Sequence, residues 1–354
     1  MAAPYKSLLF LCIVTLLLTA CGDKSESSSA EDSNQELAEE LYFFNWGENI
    51  DPEILEDFEE EFGVKVIYDT YTSNQELITK LNSDTVDYDV VVPTDYFVEQ
   101  MAEEGLLQEL NMDNLPNFKN ISEEFRNPSF DPDNTYSVPY LYGSIGIAYN
   151  TEYVDEPRSW EALWDPAYEG RVTIQETPRE GVSMALQMLG YDMNDPSDEE
   201  LMEAKQKISE VNENILAFDN TPADKLVSEE VWLAQTYSDQ AGTAIAENDK
   251  ISYLLPEDGG MLWMDNFVVP VSSKNKYTAE VFINYMLRPE VSKKLTDAIP
   301  SSNPNKAAQE LMSEEESNNP ASYPEIPESS SFFEYMNQEQ LGKMNQIYKE
   351  IKVE

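Results

Sequence analysis

A two-domain α/β protein is the fold class that three features of the sequence predict. The chain has 354 residues, more than one ordinary core accommodates. Short apolar runs alternate with segments of helical periodicity, which means a parallel sheet with right-handed crossovers. Between two such α/β stretches lies Tyr136 to Asn150, a strand-like run interrupted by Pro139 and Gly143, which reads as a segment passing from one domain to the other.

Taken in order, Leu41 to Asn45 is an apolar strand ending at Trp46. Asp51 caps a helix with Pro52 at its first position, Ile54, Leu55, Phe58 and Phe62 on one stripe, and Gly63 as its stop. Val64 to Tyr68 is the next strand, Asn74 to Leu81 the next helix, and Tyr88 to Pro93 the third strand, followed by a helix from Asp95 to Gly105. In parallel sheets ligands bind beyond the carboxyl ends of strands, where Trp46, Thr94 and Tyr96 lie, although core packing would account for either aromatic taken alone. After the crossing segment the spacing predicts a strand at Arg171 to Ile174, a helix after Pro178, a polar helix from Ser197 to Asn212, and strands at Ile215 to Phe218, Trp232 to Tyr237 and Ile251 to Leu255. A helix near Asp239 to Glu247 separates the last two. Gly259 to Val271 then returns to the first domain, and helices at Thr278 to Leu287, Pro289 to Asp297 and Leu341 to Lys352 complete the chain.

Composition removes several function classes. There are 69 acidic residues to 22 basic ones, a net charge of -47, so nucleic acid is repelled and cations are attracted. A saline habitat would select the same surface without reference to a ligand, and many acids fall on solvated helix faces such as Glu56, Asp57, Glu59, Glu60 and Glu61. No histidine is present, which excludes His-based triads and most zinc sites. No glycine loop for phosphate is found, since Gly143 to Gly146 has neither the spacing nor a basic residue. Lys6, the apolar run Leu8 to Leu18, and Leu18-Thr19-Ala20-Cys21 form a secretory signal over 1–21, too short for the ~20 residues of a membrane span. Its ending resembles a bacterial lipobox, which implies lipid on Cys21 and anchoring to a membrane. The Ser-, Asp- and Glu-rich stretch 22–40 has no periodic apolar pattern and reads as a flexible tether.

Chemistry concentrates in Gly259 to Val271. Within its buried strand, alternation puts Trp263 and Asp265 on one face. A buried carboxylate is costly without a cation or hydrogen-bond donors, and an indole beside it offers a π face to the same cation, so a pocket for an organic cation is expected. An Asp that caps a turn or pairs with a buried Arg is the alternative.

In sequence the chain resembles the periplasmic spermidine/putrescine-binding proteins of polyamine ABC transporters, from about Leu41 to Lys352. The resemblance rests on Tyr42-Phe43-Phe44-Asn45-Trp46, Tyr88-Asp89-Val90-Val91-Val92-Pro93, Phe130-Asp131-Pro132-Asp133-Asn134, Ser137-Val138-Pro139-Tyr140, Pro178-Arg179-Glu180 and Trp263-Met264-Asp265, in that order and spacing. It implies a type 2 periplasmic-binding-protein fold: two α/β lobes, 38–143 plus 265–309 and 144–264 plus 310–354, joined by hinge strands and closing on a ligand like a Venus flytrap. Aromatic walls are implied at Trp46, Tyr96, Tyr237 and Trp263, and polar contacts at Thr94, Glu180, Asp265 and Gln338. The implied role is capture of a polyamine for a membrane permease and its ATPase, by a monomer with no cofactor, metal or catalytic residue. A polyamine is a row of ammonium groups on methylene spacers, which carboxylates at fixed separations and flat apolar walls between them would suit.

Three departures bear on ligand choice. Thr177 stands where the family often has a further acid, and Asn49 and Ser301 stand where tyrosines are expected. Either contacts are lost, or Glu48, Glu176 or Asp239 compensates. Two rival readings stay open at this point. Glu180 and Asp265 among aromatics could form a glycosidase pair, and the same fold could hold iron, sulfate or a sugar, although adjacent tyrosines for iron are absent and facing carboxylates oppose sulfate.

Overall fold

The computed structural model describes residues 36–47, 49–83, 86–211, 214–299 and 301–352. The signal at 1–21, Cys21, most of the tether and Glu48 therefore lie outside the described residues. Among the described residues ten strands share one sheet: β1 (Glu40–Trp46), β2 (Lys65–Tyr71), β3 (Val90–Val91), β4 (Ser137–Asn150), β5 (Val172–Ile174), β6 (Ile215–Phe218), β7 (Leu233–Tyr237), β8 (Ile251–Leu254), β9 (Met261–Val268) and β10 (Ser331–Phe332). Twelve α-helices are present among the described residues: α1 (Pro52–Phe62), α2 (Asn74–Leu81), α3 (Asp95–Glu103), α4 (Pro178–Met188), α5 (Asp198–Glu210), α6 (Ala223–Val227), α7 (Ser238–Glu247), α8 (Lys276–Met286), α9 (Pro289–Ala298), α10 (Lys306–Gln309), α11 (Glu314–Ser317) and α12 (Gln338–Ile351). None of the described helices is long and apolar enough to cross a membrane.

The main strand order is β2-β1-β3-β9-β4-β7-β5-β6, with β8 paired to β4 and β10 to β9. β1 runs parallel to β2 and β3, and β5 runs parallel to β6 and β7, the pairings that crossover helices require. β4 and β9, antiparallel to each other, carry the chain across the middle. The first half of β4 packs Val138, Leu141 and Tyr142 into a core with β1, β3, α1 and α8, whereas Ile145, Ile147 and Tyr149 enter a second core with α4, α5 and α12. A third, smaller core lies under α6 and α7.

Local chemistry explains the element ends. Asp51 accepts from the Glu53 amide at 2.9 Å, Pro52 occupies the first turn of α1, and Gly63 closes the helix at φ 68°, a conformation that costs glycine little. The strand expected over Tyr88 to Pro93 contracts to Val90–Val91, because Pro93 has no N–H to extend the ladder. The tether expected through residue 40 ends earlier. The Ala38 amide donates to Thr278 at 2.8 Å, Leu37 packs on the first core, and Glu40 opens β1, since leucines at 37 and 41 supply apolar surface that the polar stretch lacks. Glu59 is also less solvated than its helix face implies: half-buried, it accepts from the Val66 amide at 2.7 Å and fastens α1 to β2.

Candidate functional site

The site gathers at the carboxyl ends of β1, β3 and β7 and on β9. Trp46 closes β1; its indole N–H donates to the Val92 carbonyl at 3.0 Å, its ring lies 4.7 Å from that of Tyr71, and the Tyr68 hydroxyl donates to its carbonyl at 3.0 Å. Thr94 is the N-cap of α3 but makes no capping bond with its side chain. Its hydroxyl instead donates to Asp265 at 3.2 Å, so a bond usually worth ~1 kcal/mol of helix stability is diverted to the site. Asn49 brings its amide to the other Asp265 oxygen at 3.5 Å.

Asp265 is 4 % exposed. Burial pushes its carboxyl up to about 7, against the opposing pull of the Thr94 hydroxyl and the Trp46 indole. No arginine or lysine pairs with it among the described residues, which leaves the turn-capping and buried-Arg alternatives without support. Trp263, two residues before it on β9, faces Gly143 across the β4 ladder. A Cβ on Gly143 would meet the indole at 2.3 Å, so the glycine read from the sequence as an interruption in β4 is the space in which that ring lies. The Trp263 indole N–H is buried without a partner.

The second carboxylate comes from α4. Glu180 accepts from the Tyr237 hydroxyl at 3.0 Å through one oxygen, and its other oxygen is buried with no partner. Burial raises its pKa, while Tyr237 and the neighbouring Arg179 guanidinium pull it down. A buried amide pair supports it from behind. Gln235 donates to the Glu180 carbonyl at 2.8 Å and accepts from the Gln175 amide at 3.1 Å, and Gln175 donates back to the Gln235 carbonyl at 3.2 Å. Tyr348 of α12 hydrogen-bonds to the Gln175 carbonyl and packs against Gly181, where a Cβ would meet its hydroxyl at 2.2 Å. Arg179 sits over the Tyr96 ring at 5.0 Å and the Phe333 ring at 4.6 Å, which joins α3 to α4 beside the site. Burial pushes the Tyr96 phenol up to about 12.

Three helix N-termini, those of α3, α4 and α7, approach this region, and each carries an acid in its first turn: Asp95, Glu180 and Asp239. Bare N-termini attract anions. Here Asp95, fully buried, accepts from the Tyr96 and Met264 amides at 2.8 and 3.1 Å, and burial pushes its carboxyl well above the usual range, so it is the Asp265 and Glu180 carboxylates that turn the balance toward cations.

Of the eight site residues expected from sequence, Trp46 and Thr94 surround Asp265, Tyr96 and Tyr237 flank Glu180 through Arg179 and a direct hydrogen bond, and Trp263 packs with Tyr96 and Tyr237 on the second core. Gln338 is exposed at the first position of α12 and shares no hydrogen bond with them among the described residues. The departures take definite places too. Thr177 turns its hydroxyl to Asn220 at 3.3 Å, and the Glu176 carboxylate pairs with Lys352 at 3.3 Å, so neither supplies a further acid to the site. Asp239 remains half-buried beside Tyr237. Gln235, Asp95 and Asn74 were not read from the sequence as site residues. Asp95 at least carried a signal, a carboxylate directly between Thr94 and Tyr96.

A two-part α/β sheet crossed by β4 and β9, with buried carboxylates and aromatic rings at its strand ends, defines a solute-binding protein that encloses its ligand. The chain belongs to the family described as Bacterial extracellular solute-binding protein, which residues 53–328 match. It is 36 % identical over 328 residues, 92 % of each chain, to the Spermidine/putrescine-binding periplasmic protein of Escherichia coli. The Spermidine/putrescine-binding periplasmic protein 1 of Haemophilus influenzae is 32 % identical over 325 residues, 90 % of each chain. Among solved structures, the spermidine/putrescine ABC transporter substrate-binding protein from Streptococcus pneumoniae superposes with a TM-score of 0.83 at 33 % identity, covering 89 % of this chain and 99 % of that one. The two-lobed fold of extracytoplasmic solute binders is thereby established, and the function is binding, not catalysis. The glycosidase reading falls with it.

Proposed function

We propose that this chain captures a polyamine of the spermidine/putrescine class between its lobes and delivers it to the permease and ATPase of an ABC importer. The observation that carries this reading is the pair of carboxylates, buried Asp265 on β9 and half-buried Glu180 on α4, among Trp46, Tyr96, Tyr237 and Trp263, with one Glu180 oxygen buried and left unpartnered. Ammonium groups satisfy such oxygens, and the methylenes between them pack on the rings. Two charge-assisted hydrogen bonds at ~1.5–3 kcal/mol each and two desolvated cation–π contacts at ~2 kcal/mol each come close to the ~8 kcal/mol of micromolar binding.

The lobes are 38–143 plus 265–309 and 144–264 plus 310–354. The division of the cores supports this, since one contains Leu41 to Tyr142 with Met264 to Ile299 and another contains Ile145 to Met261 with Phe333 to Ile351. Gln338 belongs to the site only if closure on the ligand brings the start of α12 inward. The protein acts as a monomer, held at the membrane by lipid on Cys21.

Titration calorimetry of the purified protein with putrescine, spermidine and spermine, against sulfate and ferric citrate, tests the ligand. Micromolar binding of at least one amine with silence from the others is expected, and binding of sulfate or iron alone overturns the reading. A strain lacking this gene and other amine transporters should fail to take up the amine at low external concentration.

A further inference from the structure

Resting on the amine reading of the site, we propose that Asn74 is a positioning residue that directs the Thr94 hydroxyl proton onto Asp265 and so keeps that carboxylate ready for an ammonium group. Asn74 opens α2 and is 5 % exposed, out of place for an amide whose only task is to begin a helix. Its carbonyl oxygen accepts from the Thr94 amide at 3.3 Å, which fixes which end of the amide is which. The nitrogen end then donates to the Thr94 hydroxyl oxygen at 3.0 Å. With that oxygen occupied as an acceptor, its own proton is left for the nearest acceptor, the Asp265 oxygen at 3.2 Å. The relay Asn74, Thr94, Asp265 is thus directional, and each bond in it strengthens the next.

The remaining groups around Asp265 do not replace the relay. Tyr71, Tyr140 and Asp95 face it from β2, β4 and α3, and the ionised form of each is disfavoured by burial first and by the Asp265 charge in addition. Asn49 offers only a 3.5 Å contact, and the Trp46 N–H, although it too pulls on the Asp265 carboxyl, makes its hydrogen bond to the Val92 carbonyl.

The discriminating variant is Asn74→Asp, nearly identical in shape. A carboxylate at this position accepts the Thr94 proton, reverses the relay and strips Asp265 of its donor, yet it also adds negative charge near a cation site. Simple attraction then calls for tighter amine binding, and the relay calls for weaker. With the full chain and putrescine as probe, calorimetry at pH 7.0 should find Asn74→Ala weaker by about five- to tenfold and Asn74→Asp weaker still. Both deficits should narrow at pH 8.5, where Asp265 ionises without help. Carboxyl-detected NMR of the ligand-free protein should place the Asp265 midpoint above that of wild type in both variants, and thermal melts identify a variant that does not fold. A tighter complex in Asn74→Asp, or an unmoved Asp265 midpoint in either folded variant, overturns the proposal. If wild type binds neither putrescine nor spermidine, the amine reading fails, and the NMR midpoints still decide the role of Asn74.

Discussion

Acidification should release the ligand through Asp265, and the size of the effect follows from its burial. With its carboxyl near 7 and an ordinary value of 3.8, Asp265 is mostly ionised at pH 8 and almost wholly protonated at pH 5 in the ligand-free protein. An aliphatic ammonium stays charged throughout this range and binds the ionised form. Capture at pH 5 must therefore expel a proton, which weakens affinity by roughly 90-fold relative to pH 8, about 2.7 kcal/mol. Glu180, raised in the same direction, adds to the loss at the acid end. Asp265→Asn should remove the Asp265 part of this slope and, at pH 8, weaken binding by ~2–5 kcal/mol, thirtyfold or more, because the ammonium loses its charged partner. Stability carries the opposite sign. A carboxyl whose folded pKa lies above its unfolded one binds protons more tightly when folded, so between about pH 4 and 7 the ligand-free protein loses stability as pH rises. Of order 4 kcal/mol is at stake from this one group. Asp265→Asn should consequently melt higher than wild type at pH 8 without ligand and gain less when amine is added. The assays are calorimetric titrations at pH 5, 6, 7 and 8 and thermal melts over the same series. Wild-type affinity that stays flat from pH 8 to pH 5, or a slope that persists unchanged in Asp265→Asn, refutes the reasoning.

Three further outcomes are expected. Gln235→Met should weaken amine binding by several-fold, and its effect should largely vanish in a Glu180→Gln background, because the amide acts through the placement of α4; additive losses in the double variant would mean a general structural role instead. Neutralising exposed acids on α1, as in Glu56→Gln with Glu60→Gln, should change affinity less than about twofold at physiological salt, where charges are screened over ~8 Å, and a large change would mean that a diffuse field does the work of the site. Cys21→Ala should free the protein from membranes, as fractionation and immunoblotting would detect; wild type already wholly soluble outside the cytoplasm would refute the lipid anchor.

Much of the candidate site was legible in the sequence for reasons that can be named. Trp263 and Asp265 share a face because a strand repeats every two residues, and a charge inside an apolar run signals itself by its cost. Trp46 and Tyr96 were marked by their place at the carboxyl ends of parallel strands, and Glu180 and Tyr237 were reached only through the order and spacing of motifs. What stayed hidden was the direction of side chains. Local sequence leaves Thr177 as free to face the site as Asn220, and Glu176 as free to reach inward as toward Lys352.

The sequence by itself determined the alternation of strands and helices, their caps, and the crossing at β4, since these depend on residues a few positions apart: Asp51, Pro52 and Gly63 bound α1 without reference to the rest of the chain. Only the tertiary structure decided that Asp95 is buried with Asp265, and what holds each carboxylate. The Asp265 environment is assembled from Asn49, Asn74 and Thr94, the Glu180 environment from Gln175, Gln235 and Tyr348, and β10 exists only because β9 lies beside it. At Asp265, burial and hydrogen-bond direction arise from contacts between segments up to 216 residues apart, and local periodicity contains no term for them.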